Sequence, residues 1–266
     1  MRTTVFIFLI LTGCTGYQYV APLHFVPVNY EKGHGVGNLT YNSCQAGYAF
    51  SDHLSAYAMT TFIENDKEKS LFINNKDEKG FYKMDKHNEI ELGITRFWNY
   101  EDFGSYEILA GVGYGTVKYR NYNEIEDFYD FSFDARKMNF SFQPGISVRY
   151  ENFIDFSVFS RLNCIRYFNI KSMVDSSPST QLTDYDRFFN GRNDCNLFFL
   201  EPGVQFRAGP EYVKLLIQGS GSIMLGSSDI YYKEYRFTIG ISCSLNLITD
   251  KSGNQVVFYE NRMEKK

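Results

Sequence analysis

The segment 137–150, KMNFSFQPGISVRY, separates by parity. Met138, Phe140, Phe142, Pro144, Ile146, Val148 and Tyr150 hold one set of alternating positions. Lys137, Asn139, Ser141, Gln143, Gly145, Ser147 and Arg149 hold the other. Neighbouring side chains of a β-strand point to opposite faces, so the pattern predicts a strand with one apolar and one polar face. The same alternation recurs at 153–164, 200–208, 213–225 and 235–247, where Phe237, Ile239, Ile241, Cys243, Leu245 and Leu247 form the apolar set. Weaker versions run through 43–50, 54–63, 88–97 and 105–119. These nine segments mostly reach ~10 residues or more, against ~5–6 for an ordinary strand.

The connections sort by length. Short ones fall at 51–53, 99–104, 151–152 and 209–211, and long polar ones at 64–86, 120–135, 168–195 and 227–234. Regular short–long alternation predicts an antiparallel up-and-down meander with its long connections at one end. The stretches FQPGISVR (142–149) and LEPGVQFR (200–207) repeat a Pro-Gly step and an Arg at the same offset, which suggests duplicated hairpins. Pro144 and Pro202 cannot donate to a sheet ladder and are expected at bulges.

An apolar strand face can line a core or meet lipid. The polar faces carry Glu89, Glu91, Glu107, Lys137, Arg149, Asp155, Arg161, Glu201, Arg207, Lys214 and Arg236. Such a set suits a lumen where acids and bases pair, and equally the wet face of a sandwich. Trp98, Tyr100, Tyr119, Tyr150, Phe153, Tyr167, Phe168, Tyr231, Tyr232 and Tyr235 gather at strand ends, as interfacial girdles do. Aromatics are 18% of the chain while charge, at 22%, is near the usual quarter, so the aromatic content is the anomaly. Net charge of −4 argues against nucleic acid as a partner. No window approaches the ~18 apolar residues of a spanning helix.

The N-terminus adds a membrane signal. In MRTTVFIFLILTGCTG, Arg2 precedes an apolar run, Val5 to Leu11, followed by small residues. The residues LTGC resemble the bacterial lipoprotein box. That resemblance implies cleavage before Cys14, lipidation of its thiol and a mature chain beginning there; the alternative is an ordinary secretory signal. A lipid at Cys14 places the chain at a bilayer, where only a closed barrel leaves no unpaired backbone. Together these observations turn the apolar face outward. Cys44, Cys164, Cys195 and Cys243 lack metal-site spacing. Cys164 and Cys195 flank one long connection and either staple its base or pack as small side chains.

The stretch CQAGYAFSDHLSAYAM (44–59), with NYEKG before it, resembles the first hairpin of outer-membrane β-barrel lipoproteins of the Bacteroidetes. The resemblance covers about residues 14–62. The terminal MEKK departs from the aromatic last residue of many porin-type barrels. Bacterial single-chain barrels have even strand numbers. A tenth strand is therefore expected around 34–41 in preference to 254–260, with both chain ends and the lipid on the periplasmic side.

Candidate chemistry is sparse. Adjacent Ser51, Asp52 and His53 on a tight turn cannot form a relay, and local backbone bonding explains them better. Glu89 and Glu91 share a face and are expected to pair with lumen cations. GVGYG (111–115) lacks a following helix, so Gly113 and Gly115 read as space for lumen side chains. The whole predicts an all-β antiparallel up-and-down transmembrane barrel of about ten strands. Its parts would be a signal peptide (1–13), a tether (14–33), the barrel (34–247) and a tail (248–266). The expected role is a non-catalytic, monomeric outer-membrane scaffold displaying loops, with lipid as partner, lipidation at Cys14, and no cofactor, metal or nucleic acid. Two alternatives are a barrel enzyme acting on lipid or peptide, with His87 and Glu89 as its only candidates, and a tethered lipocalin-like binder with an apolar interior.

Overall fold

The computed structural model describes residues 19–22, 24–26, 32–65, 81–100, 104–123, 128–151, 153–174, 188–226, 230, 232–249 and 256–258. Its strands are β1 (His34–Thr40), β2 (Ser43–Ala49), β3 (Leu54–Asn65), β4 (Phe81–Tyr100), β5 (Gly104–Asn123), β6 (Phe128–Tyr150) and β7 (Ile154–Val174). They are followed by β8 (Asp194–Ala208), β9 (Val213–Gly221), β10 (Ile223–Met224), β11 (Tyr235–Thr249) and β12 (Val256–Phe258). Each wall strand pairs antiparallel with the next, and β11 pairs back to β1 from His34↔Asn246 to Thr40↔Gly240. Ten strands thus close a barrel. The tenth is the one expected at 34–41; β12 adds three rungs to the end of β11.

The short connections after β2, β4, β6 and β8 share one end, where β1 begins and β11 ends. At the other end β4 to β7 rise as a tall wall of 20 to 23 residues per strand, while β1, β2 and β9 form a low wall of 7 to 9. Strict length sorting fails here, because Tyr41–Asn42 is a two-residue turn at the long-connection end. The connection expected at 120–135 shrinks to four residues, since β5 and β6 stay paired up to Asn123↔Phe128. β4 likewise extends down to Phe81 and β7 up to Val174.

The reason for those hidden strand ends is an inversion of the alternation. Below Thr116 on β5 the outward residues are apolar (Ile108, Val112, Tyr114); above it they are polar (Lys118) and the inward ones apolar (Val117, Tyr119). β6 switches between Arg136 and Met138, and β7 between Cys164 and Arg166. A strand whose faces trade character reads as a loop when a single apolar face is sought. Asn169, at a positive φ of 53° where Asn is tolerated, sits at a register shift in β7 that keeps Ile170 inward.

On the segment 137–150, Lys137, Asn139, Ser141, Gln143 and Ser147 are buried in the lumen, and Met138, Phe140, Phe142, Ile146, Val148 and Tyr150 are exposed. Around the barrel Leu39, Leu92, Ile94, Val158, Ile239 and Ile241 are 48–61% exposed, forming an apolar belt. Trp98, Tyr150, Phe153 and Tyr235 lie at its edges as expected. Tyr119 and Tyr167 do not: both are fully buried, carried inside by the inversion. Tyr231 lies outside the described residues. Pro144 and Pro202 occupy no bulge. Pro144 faces the outward Ser160 of β7 where rungs are missing without a change of register, and Pro202 keeps its rung with Ser160 but lies where β8's ladder on its other side is interrupted, between Gly203↔Ser220 and Leu200↔Ile223.

Candidate functional site: the occupied lumen

The lumen is built in two storeys, both closed around a segment of the chain itself. Residues 19–22 and 24–26 fall within the span expected as a tether, yet the structure runs them through the barrel, each 0–3% exposed where a value is given. Tyr19 makes a bridge with Tyr232 at the rim of the low wall, and the Lys233 amide donates to the Tyr19 carbonyl. Further down, Arg236 donates to the Ala21 carbonyl, Gln218 to that of His24 (3.1 Å) and Gln143 to that of Phe25 (2.8 Å). Side chains thus replace the sheet partner that a buried extended segment needs. Phe25 stacks on Tyr57 and Val26 packs on Phe159 near the short-turn end. The segment therefore enters at the long-connection end and descends.

Sequence reading missed this plug, although a signal existed. Residues 17–28, YQYVAPLHFVPV, contain no Lys, Arg, Asp or Glu and are mostly apolar, unlike a solvated tether. An apolar run of this kind must be buried somewhere. Pro22 and Pro27 remove two backbone donors, so the run is poorly suited to a wall strand.

In the lower storey the polar faces converge. Five carboxylates and five Lys or Arg side chains are buried among the described residues, so the lumen is close to neutral. Glu91, on β4, receives Tyr57 Oη (2.8 Å), Asn139 Nδ2 (2.8 Å), Ser141 Oγ (2.9 Å) and the Arg161 guanidinium. Arg161, on β7, also faces Glu201 of β8 at 3.9 Å. Glu201 in turn accepts from Tyr19 Oη and meets His24 Nε2 at 3.1 Å, which ties plug to wall. Lys137 pairs with Glu89. Near the short turns Asp155 is held by Lys214 (2.8 Å), Arg149 (3.2 Å) and Arg207 (3.4 Å). The expected pairing of Glu89 and Glu91 with lumen cations is what the geometry shows. A Cβ at Gly111 would collide with Tyr57, Glu91 and Ser141, and one at Gly113 with Asn139, so these glycines make room for the network.

The upper storey is aromatic. Tyr19, Val117, Tyr119, Phe131, Phe133, Ile165, Tyr167, Phe189, Leu197 and Phe199 form one buried cluster. Phe133 stacks on Phe189 at 4.4 Å and Tyr19 on Phe199 at 4.1 Å. Here the tall wall has a core of the ordinary soluble kind, with Lys118, Arg136 and Arg166 turned outward.

The remaining candidates fall into place around this core. Ser51 Oγ accepts the amides of His53 (3.3 Å) and Leu54 (2.9 Å), the expected turn chemistry. His87 and Glu89 are both buried in the lumen, away from the outer surface. Cys164 stands opposite Phe198 and Cys195 opposite Tyr167, three rungs apart and on opposite faces, beyond disulfide reach. Both thiols are free, so the packing alternative holds over the staple. Cys14 lies outside the described residues. Among those residues no group of His, Cys, Asp or Glu is suited to a metal.

Fold and lumen together define a closed ten-stranded antiparallel β-barrel with a polar lower and an aromatic upper interior, through which its own residues 19–22 and 24–26 run. Neither a protein-family model nor a curated protein matches the chain.

Proposed function

We propose that the protein is an outer-membrane barrel lipoprotein, anchored through Cys14, that acts as a plugged, non-catalytic scaffold displaying the connections of its tall end. The observation that carries this is the exposed apolar belt and its abrupt upper border. On β6 the outward apolar positions run from Met138 to Tyr150. At ~3.4 Å per residue and a tilt of ~45° they cover roughly 29 Å, on the scale of the ~25 Å apolar band of barrels in lipid. Above it Lys86, Lys118, Arg136 and Arg166, with Glu64, Asp134 and Asp194 among them, form a charged collar suited to lipid headgroups, and beyond the collar the faces invert as they do in water. An all-polar exterior would carry no such boundary. The near-neutral lower storey and the segment 24–26 within it support a scaffold over a diffusion pore, and the filled aromatic upper storey supports a closed core over an open apolar cup.

Ile94→Arg tests the belt. In lipid the charge should cost roughly 2–4 kcal/mol and reduce assembled, alkaline-carbonate-resistant protein. If the face met water, the same change at an exposed position would be silent, and the wild type would wash off in carbonate.

A further inference from the structure

The charges of the collar are unevenly paired. On its outer face Arg166 of β7 meets Asp194 at 3.0 Å, and Arg120 of β5 meets Asp134 at 2.8 Å. Arg120 also donates to the Tyr119 and Phe133 carbonyls, which fixes its guanidinium beside Asp134. Asp134 stands directly opposite Lys118 in the β5–β6 ladder, so the carboxylate best placed for Lys118 is already held. On the other side of Lys118, directly opposite on β4, stands Lys86, and Arg136 lies diagonally across on β6, opposite Thr116. Directly opposed side chains are about 5 Å apart at Cβ and diagonal ones about 7–8 Å, so the three cations share one patch. Lys86 meets Glu64 at 3.9 Å, with both side chains 48% exposed. Neither Lys118 nor Arg136 has an ion-pair partner among the described residues. Like charges set directly opposite destabilise a strand pair, and one loosely held carboxylate does not neutralise three cations.

We propose that Lys86, Lys118 and Arg136, with the Thr116 hydroxyl between them, bind the phosphate of a lipid headgroup in the leaflet on the long-connection side. This rests on the reading of the belt as lipid-facing. The phosphate supplies the negative charge that the patch lacks, meeting the forked donors of Arg136 and the point charges of the two lysines. Immediately below, the outward residues of the same three strands are Ile90, Tyr114 and Met138, the upper edge of the belt. Tyr114 meets the ring of Phe168, which stands opposite Arg136, at 6.3 Å. Acyl chains descending from a phosphate at the patch therefore run onto apolar and aromatic surface without a break, which a free anion would leave unused. Arg120 and Arg166 are neutralised by their own partners, so the site is confined to β4–β6 and does not ring the barrel.

The test folds the full chain in mixed micelles holding equal amounts of phosphatidylglycerol and an uncharged galactolipid, and reads the lipids retained on the barrel by native mass spectrometry. Heat-modifiable gel mobility reports folding of each variant. The wild type should retain phosphatidylglycerol in preference to the galactolipid. Lys118→Gln combined with Arg136→Gln should weaken that retention roughly tenfold, the scale of two exposed charge contacts, while Arg166→Gln leaves it unchanged. In galactolipid alone the double variant should be no less stable than the wild type, since a like-charge contact has been removed. Equal loss on Arg166→Gln would overturn the site in favour of diffuse attraction to the collar. Displacement of phosphatidylglycerol by inorganic phosphate at equal concentration would assign the patch to the free ion and overturn the lipid. Retention of neither lipid by the wild type would overturn the lipid-facing belt itself, whereas retention of both without preference would leave the belt standing and overturn only this site.

Discussion

The two storeys of the lumen are built by the same strands from opposite materials. Below the collar, β4 to β8 turn Glu91, Lys137, Arg161 and Glu201 inward and leucines, isoleucines and phenylalanines outward. Above it the same strands turn Phe133, Tyr167 and Phe199 inward and lysine and arginine outward. Backbone pairing continues through the border without interruption on β4–β5. The difference teaches that strand formation is indifferent to which face is apolar, since the same ladder carries both arrangements. Where the exterior is apolar, the interior must be held by charge and hydrogen bonding, which are directional and fail when one member is lost. Where the outer face is polar, the interior is held by dispersion and apolar burial, which degrade gradually.

The sharpest way to break that comparison is Arg161→Met. It leaves Glu91 and Glu201 buried without their shared cation, at a cost near the upper end of the ~3–5 kcal/mol of a broken buried pair. We expect loss of folded protein across the whole barrel and release of the plug, read by urea unfolding in vesicles and by protease access to residues 19–26. Pairing it with Glu91→Gln should recover a measurable part. A gradual loss confined to one hairpin would equate the two storeys. Phe133→Ala in the upper storey should cost about 3 kcal/mol, at the low end for a buried Phe because this end is open and can collapse. Hydrogen exchange should speed up around 117–135 while the belt strands stay protected; equal acceleration in β1 and β11 would contradict the separation. Arg120→Ala removes a partly exposed pair with Asp134 (2.8 Å, side chains 26% and 42% exposed) and should change stability by under ~0.5 kcal/mol. A shift above ~1 kcal/mol in the same urea series would show that the outer face of the tall wall is tied to its core.

Much of the lower storey was legible because a single apolar face repeats there with a period of two. The eleven ionisable positions read as a polar face do face the lumen, and the strand before Cys44 does close the barrel. The upper storey was hidden because the period persists while the apolar set changes parity. Arg120 and Asp134 then look like loop residues, and Tyr119 and Tyr167 like girdle aromatics. The plug was hidden for another reason. It has no periodicity, since every side of it is buried, and its hydrogen-bond partners lie 118 to 215 residues away in the chain. No local pattern records contacts of that separation. The prolines misled for a simpler reason, as a missing rung does not require an extra residue.

The seam of the barrel joins residues more than two hundred positions apart, since His34 meets Asn246. Contacts so distant in sequence close late, after the loop entropy of nearly the whole chain has been overcome. The segment that fills the lumen lies immediately before the first seam strand. If the ring zipped up first, Tyr19 and Phe25 would have to be pushed lengthwise past Arg161 and Glu201 through a passage with no spare room. A sheet that stays an open trough while residues 19–22 and 24–26 are laid along it avoids that passage, and the pairing of β1 with β11 would then lock them in.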